Sequence, residues 1–207
     1  YNMKKVLFAL SIAAVLFAFA TPVFAAGGGE DDQLTLGVCI PYTIGWFGAF
    51  QEGFQKIADR EGVEVVWAYN NYNPEEETEA IQNLITQGVD AINVTSVTPA
   101  TAEYSARLAN EADIPIQITE SGIAEGEGKP FADIDFNWFD VYATVAEGLR
   151  NDLDGELKVL WMQGFAGTAP VMQGDQGFRD AIAEMDGIEL ATQPQDGNYA
   201  TAPTLDI

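Results

Sequence analysis

Three aromatic residues, Tyr42, Trp46 and Phe47, crowd the stretch GVCIPYTIGWFGAFQEGF at residues 37–54. Rings at this spacing either fill a core or form a platform on which the apolar face of a ligand stacks. The rest of the chain narrows the chemistry available. Histidine is absent, which leaves no imidazole base and no Cys/His metal cluster. Cys39 is the only cysteine; it sits in an apolar run and reads as a small core residue without a disulfide partner. No G-x-S-x-G nucleophile elbow occurs, and no pattern sets two carboxylates at one strand end for acid–base work. The residues point away from an enzyme, and no cofactor or metal is expected.

Other suggestive segments weigh less. Gly164-Phe165-Ala166-Gly167 lies between a strand and a helix pattern, but it lacks both the G-x-G-x-x-G spacing and the G-K-[ST] ending of phosphate loops. Its backbone N–H groups can still face a cleft at a helix start. Asn93-Val94-Thr95 matches a glycosylation acceptor but falls in an expected buried strand. Glu75, Glu76 and Glu77 read as a solvated helix start that complements the helix dipole.

The elements that hold these residues alternate. Residues 34–40, 63–69, 89–95 and 114–119 are apolar, β-branched runs of strand length. Between them lie helix patterns. Trp46, Phe50, Phe54, Ile57 and Ala58 make one helical face, closed by Gly62. Asn73-Pro74 caps and opens a second helix, which buries Ile81, Leu84 and Ile85 and ends at Gly88. Thr98-Pro99 opens a third. Alternation of this kind predicts an α/β fold, a parallel sheet with helices on both faces. Ligands of such sheets bind beyond the carboxyl ends of the strands. The loops 41–46, 69–73, 95–98 and 119–122 are therefore the place to look.

The pattern repeats less completely afterwards. A strand is expected over 131–135, a helix marked by Trp138, Val141, Val145 and Leu149, a strand over 157–162, a helix over 171–185 and a strand over 188–191. Thr201-Ala202-Pro203 then opens another helix shortly before Ile207, and the chain reads as truncated there.

At the other end, Lys4 and Lys5 precede an apolar stretch over residues 6–20, and Val23-Phe24-Ala25 fits a signal-peptidase site. Residues 3–25 are expected to be a cleaved signal peptide, short for a membrane span, with 26–33 a flexible leader. The net charge is −23. Such a field repels nucleic acid and anionic membrane surfaces, and it fits salty surroundings, where screening is strong.

Taken together, several segments resemble the periplasmic substrate-binding proteins of the ribose/galactose type, the receptors of sugar ABC importers. They are Trp46-Phe47 at a helix start, GFQKIADREGVEV, NNYNPEEETEAIQNLITQGVDAINV, ANEADIPIQIT and QGFAGTAPVMQGDQGFRDAI. The resemblance covers roughly residues 34–207. It implies a two-lobed type 1 periplasmic-binding-protein fold with a ligand closed between the lobes. The N-terminal lobe would be 34–134 and a partial C-terminal lobe 135–207. Residues 131–135 would be the first of three crossovers, the two return crossovers lying beyond Ile207.

Carried over position by position, the resemblance gives a site. The aromatic pair falls on Trp46 and Phe47, although Phe47 also suits a core position. The polar position after the third strand falls on Thr95 or Ser96, whose hydroxyls either bind ligand or cap the next helix. The Asp-Arg pair that sugar binders often carry after the fourth strand reads Glu120-Ser121, so the acid is kept in kind and the arginine is lost. Asn137 either contacts ligand or ties the hinge. An arginine common in the second lobe is replaced by Gly174, with Gln173 beside it. Without those cations an anionic ligand is disfavoured. A neutral sugar or polyol is expected, with an amine held by Trp46, Trp138 and acidic groups as the alternative. Partners would be that small molecule and the membrane subunits of the importer, with the receptor a periplasmic monomer. A sensor feeding a chemoreceptor or kinase has the same sequence signature.

Overall fold

The computed structural model describes residues 33–197. The expected signal segment, nearly all of the leader and the helix start at Thr201 lie outside the described residues. All described elements from Leu34 onward belong to the compact unit Leu34–Ile207.

Five parallel strands form the main sheet. They are β1 (Thr35–Ile40), β2 (Glu64–Tyr69), β3 (Ala91–Thr95), β4 (Ile116–Thr119) and β5 (Ala132–Ile134), in the spatial order β2-β1-β3-β4-β5. Three helices connect the first four: α1 (Gly45–Glu61), α2 (Pro74–Gln87) and α3 (Pro99–Glu111). Each boundary has a local cause. Asn73 accepts from the N–H groups of Glu75 and Glu76 at the start of α2. Thr98 and Thr101 form a reciprocal capping box at the start of α3. Gly62 and Gly88 end α1 and α2 in the left-handed region, with φ of 69° and 73°, where a side chain would be strained.

Alternate residues of each strand serve different layers. Cys39, Ile92, Val94, Ile116 and Ile118 pack with Ile81, Leu84, Ala102, Ala106 and Ala109 into the main core beneath α2 and α3. Val38 and Ile40 turn the other way, toward Phe47 on α1. The expected face of α1 needs correction. Its buried stripe runs through Phe47, Phe50, Phe54 and Ala58, while Trp46 and Ile57 are 53% and 48% exposed. The helix rests on β2 and on Val38 and Ile40 of β1, and Phe47, Phe50 and Phe54 are the side chains that pack there.

The remaining elements are α4 (Trp138–Asp152), β6 (Leu157–Val159), β7 (Met162–Gln163), α5 (Ala169–Ala183), β8 (Ile188–Leu190) and β9 (Gln195–Asp196). The single strand expected over 157–162 is divided, with β6 pairing β8 and β7 pairing β9. Val159 faces Leu190 and Met162 faces Gln195, so the partner segment has two more residues across this stretch. The ladder breaks there and resumes. Also corrected is the buried face of α4. Val141 and Val145 are exposed; α4 meets α5 through Phe139 and Tyr142 instead, against Gly177 and Gly174.

Gly174 and Gly177 let α4 and α5 approach closely, and a Cβ on Gly177 would collide with the carbonyl oxygen of Phe139. Alanine normally stabilises a helix relative to glycine. Here Gly177→Ala is expected to lower the unfolding free energy by about 2 kcal/mol through overpacking, measured by urea denaturation.

Candidate functional site

A cavity of about 540 Å³ lies at the carboxyl ends of the main-sheet strands. The β1–α1 loop and the start of α1 supply Tyr42, Ile44, Gly45, Trp46 and Phe47, the β2–α2 loop supplies Tyr72, and the segment after β4 supplies Glu120. The opposite wall is Trp138 and Tyr142 of α4, with Phe165 from the β7–α5 loop and Pro170 from the first turn of α5. A narrower recess joins Tyr72, Thr95, Ser96 and Val97 to Glu120, Ser121, Thr168, Ala169 and Pro170. The four loops singled out in the sequence therefore meet the two helices that follow β5.

The aromatics brace one another. Tyr42 packs edge-on against Phe47 and Tyr72, with centroids 5.3 and 5.6 Å apart. Trp46 stacks on Phe50 at 5.6 Å with an interplanar angle of 21°. Across the cavity, Tyr72 meets Phe165 at 4.7 Å. Trp46 is half-exposed, so part of its ring is free for a ligand, whereas Phe47 is buried and contributes to the wall from within the core.

Ser96 and Val97 are held from beneath by Glu77, which departs from the sequence expectation. Glu77 is not a solvated helix-start acid; it is fully buried. Its Oε1 accepts from Ser96 Oγ and Ser105 Oγ, each at 2.8 Å, and its Oε2 accepts from Val97 N at 2.7 Å. Position explains the error: Glu75 faces water, while two residues on, more than half a turn around the helix, Glu77 points into the sheet. Burial pushes the Glu77 pKa up, and the three donors hold it back. Nearby, Asn70 Nδ2 donates to the Thr95 carbonyl at 2.9 Å. Together these bonds fix the β3–α3 loop at the cavity.

Glu120 and Tyr72 both line the cavity in the left-handed region, with φ of 68° and 56°. Backbone of this kind costs about 1–3 kcal/mol per residue and gathers at ligand sites. Glu120 N donates to Ile134 O at 2.8 Å, which carries the β4–β5 pairing past the strand end. Trp138 Nε1 donates to the Glu120 carbonyl at 3.2 Å. Burial, and then the charge of Asp135, push the Glu120 carboxyl up from its ordinary 4.5 to about 7. No local pattern signals two neighbouring acids, because Glu120 and Asp135 come from different strand ends and only β4–β5 pairing brings them together.

The other expected residues are placed differently. Asn137 is exposed and caps α4, accepting from Asp140 N and donating to Asp140 Oδ2. Gln173 lies half-buried on α5, outside both sets of lining residues. At Gly174 the Tyr142 ring occupies the space a side chain would need. Tyr72 and Tyr142 were missed; each sits in a segment whose local pattern speaks only of a turn or a helix. Cys39 is buried, with its thiol pKa pushed up by desolvation. Among the described residues no group of three or more metal-ligating side chains occurs, and no helix is long and apolar enough to cross a membrane.

Parallel strands with connecting helices and an aromatic cavity at their carboxyl ends define a type 1 periplasmic-binding-protein fold. The periplasmic binding protein domain model matches residues 37–205, and the chain belongs to that family. The ribose import binding protein RbsB of Escherichia coli (strain K12) is 25% identical over 208 aligned residues, covering 94% of this chain and 63% of the relative. Among solved structures, a galactofuranose binding protein superposes with a TM-score of 0.73 at 21% identity, over 80% of this chain and 56% of that one. A solute binding protein from Actinobacillus succinogenes with bound D-allose gives 0.74 at 20% identity, over 84% and 63%. The chain thus spans a little under two thirds of the length of the curated relatives it matches.

Two outcomes are expected. Removing the Glu77 carboxylate strands three buried donors, so Glu77→Ala should lower the unfolding free energy by about 3 kcal/mol, and Glu77→Gln by less, in urea titrations. Because the folded-state pKa of Glu120 is raised, its contribution to stability is fully present below 4.5 and lost as pH rises through about 7. A carboxyl NMR titration should show one glutamate with a midpoint near 7 that vanishes in Glu120→Gln, and the variant should flatten the fall in stability across that window.

Proposed function

We propose that this chain is the ligand-capturing part of a periplasmic receptor that takes up a sugar or polyol and delivers it to an ABC importer. The aromatic cavity at the strand ends is the observation that carries this reading. It combines a half-exposed Trp46 ring with one carboxyl and several hydroxyls, the mixture that a molecule with apolar CH faces and polar edges requires. The family supports the reading, as does the ribose import role carried in the name of the Escherichia coli relative. Trp46 stacks on the ligand, Glu120 and Thr95 bind its polar edge, and α4 and α5 close over it. The contact between Tyr72 and Phe165 joins the two walls in this closed arrangement. Ligand binding favours the closed form by as much as its affinity for that form exceeds its affinity for the open one.

Within this reading the division is an N-terminal lobe over 34–134 and a C-terminal part from 135 onward, exported by the segment 3–25. The chain performs no catalysis and works as a monomer without nucleic acid. Asn137 sets the start of α4 at the hinge and is not itself a ligand contact, and Gln173 stands behind the cavity wall.

The test is calorimetric titration and thermal-shift screening of the protein made from its complete gene against pentoses, hexoses and cyclitols. At least one should bind and raise the melting temperature, and Trp46→Ala should weaken that ligand roughly 10-fold. Absence of stabilisation by every sugar and polyol would overturn the reading.

A further inference from the structure

The inner recess has a volume of about 20 Å³, room for one group the size of a water molecule. Three of its hydroxyls have already committed their protons. Ser96 Oγ donates to Glu77 Oε1, Ser121 Oγ to the Gly122 carbonyl at 3.0 Å, and Thr168 Oγ1 to the Phe165 carbonyl at 2.9 Å. A hydroxyl has one proton. These three have already used theirs, so each offers the recess only lone pairs. Thr95 is 3% exposed, and its Oγ1 has no hydrogen-bond partner. Glu120 adds a carboxyl, with Asp135 close behind it.

Several nearby backbone donors are engaged elsewhere. The Val97 N–H is committed to Glu77, and those of Val171 and Met172 to the Thr168 carbonyl. Pro170 has no N–H to give. No lysine or arginine lines the recess or the larger cavity.

We propose that this recess seats a protonated amine, which makes the ligand an amino-substituted sugar or polyol. The proposal rests on the receptor reading above and narrows its ligand class. An ammonium group has three donors and no acceptor, the complement of a wall built from lone pairs and a carboxylate. A neutral hydroxyl in the same place gives one proton and sets its own lone pairs against those of the wall. At the mouth, Trp46, Trp138 and Tyr142 add the attraction of their ring faces for a cation.

The experiment compares matched pairs by calorimetric titration on the protein made from its complete gene: glucosamine with glucose, galactosamine with galactose, and 1-amino-1-deoxysorbitol with sorbitol. The expected result is that the amine of at least one pair binds roughly 10-fold or more tightly than its parent, as a charge-assisted hydrogen bond implies. In Glu120→Gln that ratio should collapse toward one. Thr95→Val, which keeps shape and removes the unpartnered hydroxyl, should lower the ratio by a few-fold and serves if Glu120→Gln does not fold. Parents that bind as tightly as their amines, or a ratio untouched in the variants, would overturn the amine assignment and leave the receptor reading standing. If neither member of any pair binds and no other sugar or polyol does, the receptor reading falls and the amine assignment falls with it.

Discussion

A single buried carboxylate organises the site. Glu77 reaches from α2 beneath the end of β3 and binds Ser96, Ser105 and the Val97 N–H. An isolated buried charge is expensive, and it persists only when its lone pairs are met. Here the acceptors come from one helix and the donors from a loop and a second helix, so the bond set locks α2, α3 and the β3–α3 loop into one geometry. Ser96 and Val97 take their positions at the cavity from it, while Asn70 holds the carbonyl of Thr95. The same carboxylate orients the Ser96 hydroxyl inward, which decides what that hydroxyl can offer a ligand.

Around this anchor the cavity gathers strain and aromatic packing. Glu120 and Tyr72 accept left-handed backbone, and Asn70 ties the Thr95 carbonyl while accepting from Tyr72 N. Such arrangements persist when the surroundings over-determine them. Tyr42, Phe47 and Tyr72 pack edge to face and give Trp46 a rigid base, so a ring stacking on it would lose little side-chain entropy. The close approach of α4 and α5 at Gly174 and Gly177 sets Tyr142 on the opposite wall.

Much of the fold was legible in the residues because the signals are local. Asn73-Pro74, Thr98-Pro99, Gly62 and Gly88 fix helix ends through their own backbone chemistry, and the apolar runs of β1 to β4 have the length and composition of buried parallel strands. The split of β6 from β7 was not legible, since it arises from a length mismatch with a partner segment some thirty residues away. The exposed valines of α4 misled for a related reason: helical spacing marks a stripe but does not say which neighbour arrives to cover it.

By itself the sequence determined the α/β class, the family resemblance, the loops that meet at the strand ends and the absence of imidazole or disulfide chemistry. The class and the loops follow from periodicities of two and 3.6 residues, the missing chemistry from composition, and the resemblance from particular segments such as NNYNPEEETEAIQNLITQGVDAINV. What the assembled structure adds is that Glu77 is an internal strut, that Glu120 lies beside Asp135, that Tyr72 and Tyr142 complete the aromatic wall, and that three hydroxyls of the recess have committed their protons. Each of these depends on side chains from separate elements meeting in space. Desolvation and shared hydrogen bonds act on the assembled neighbourhood, and no single segment carries that information.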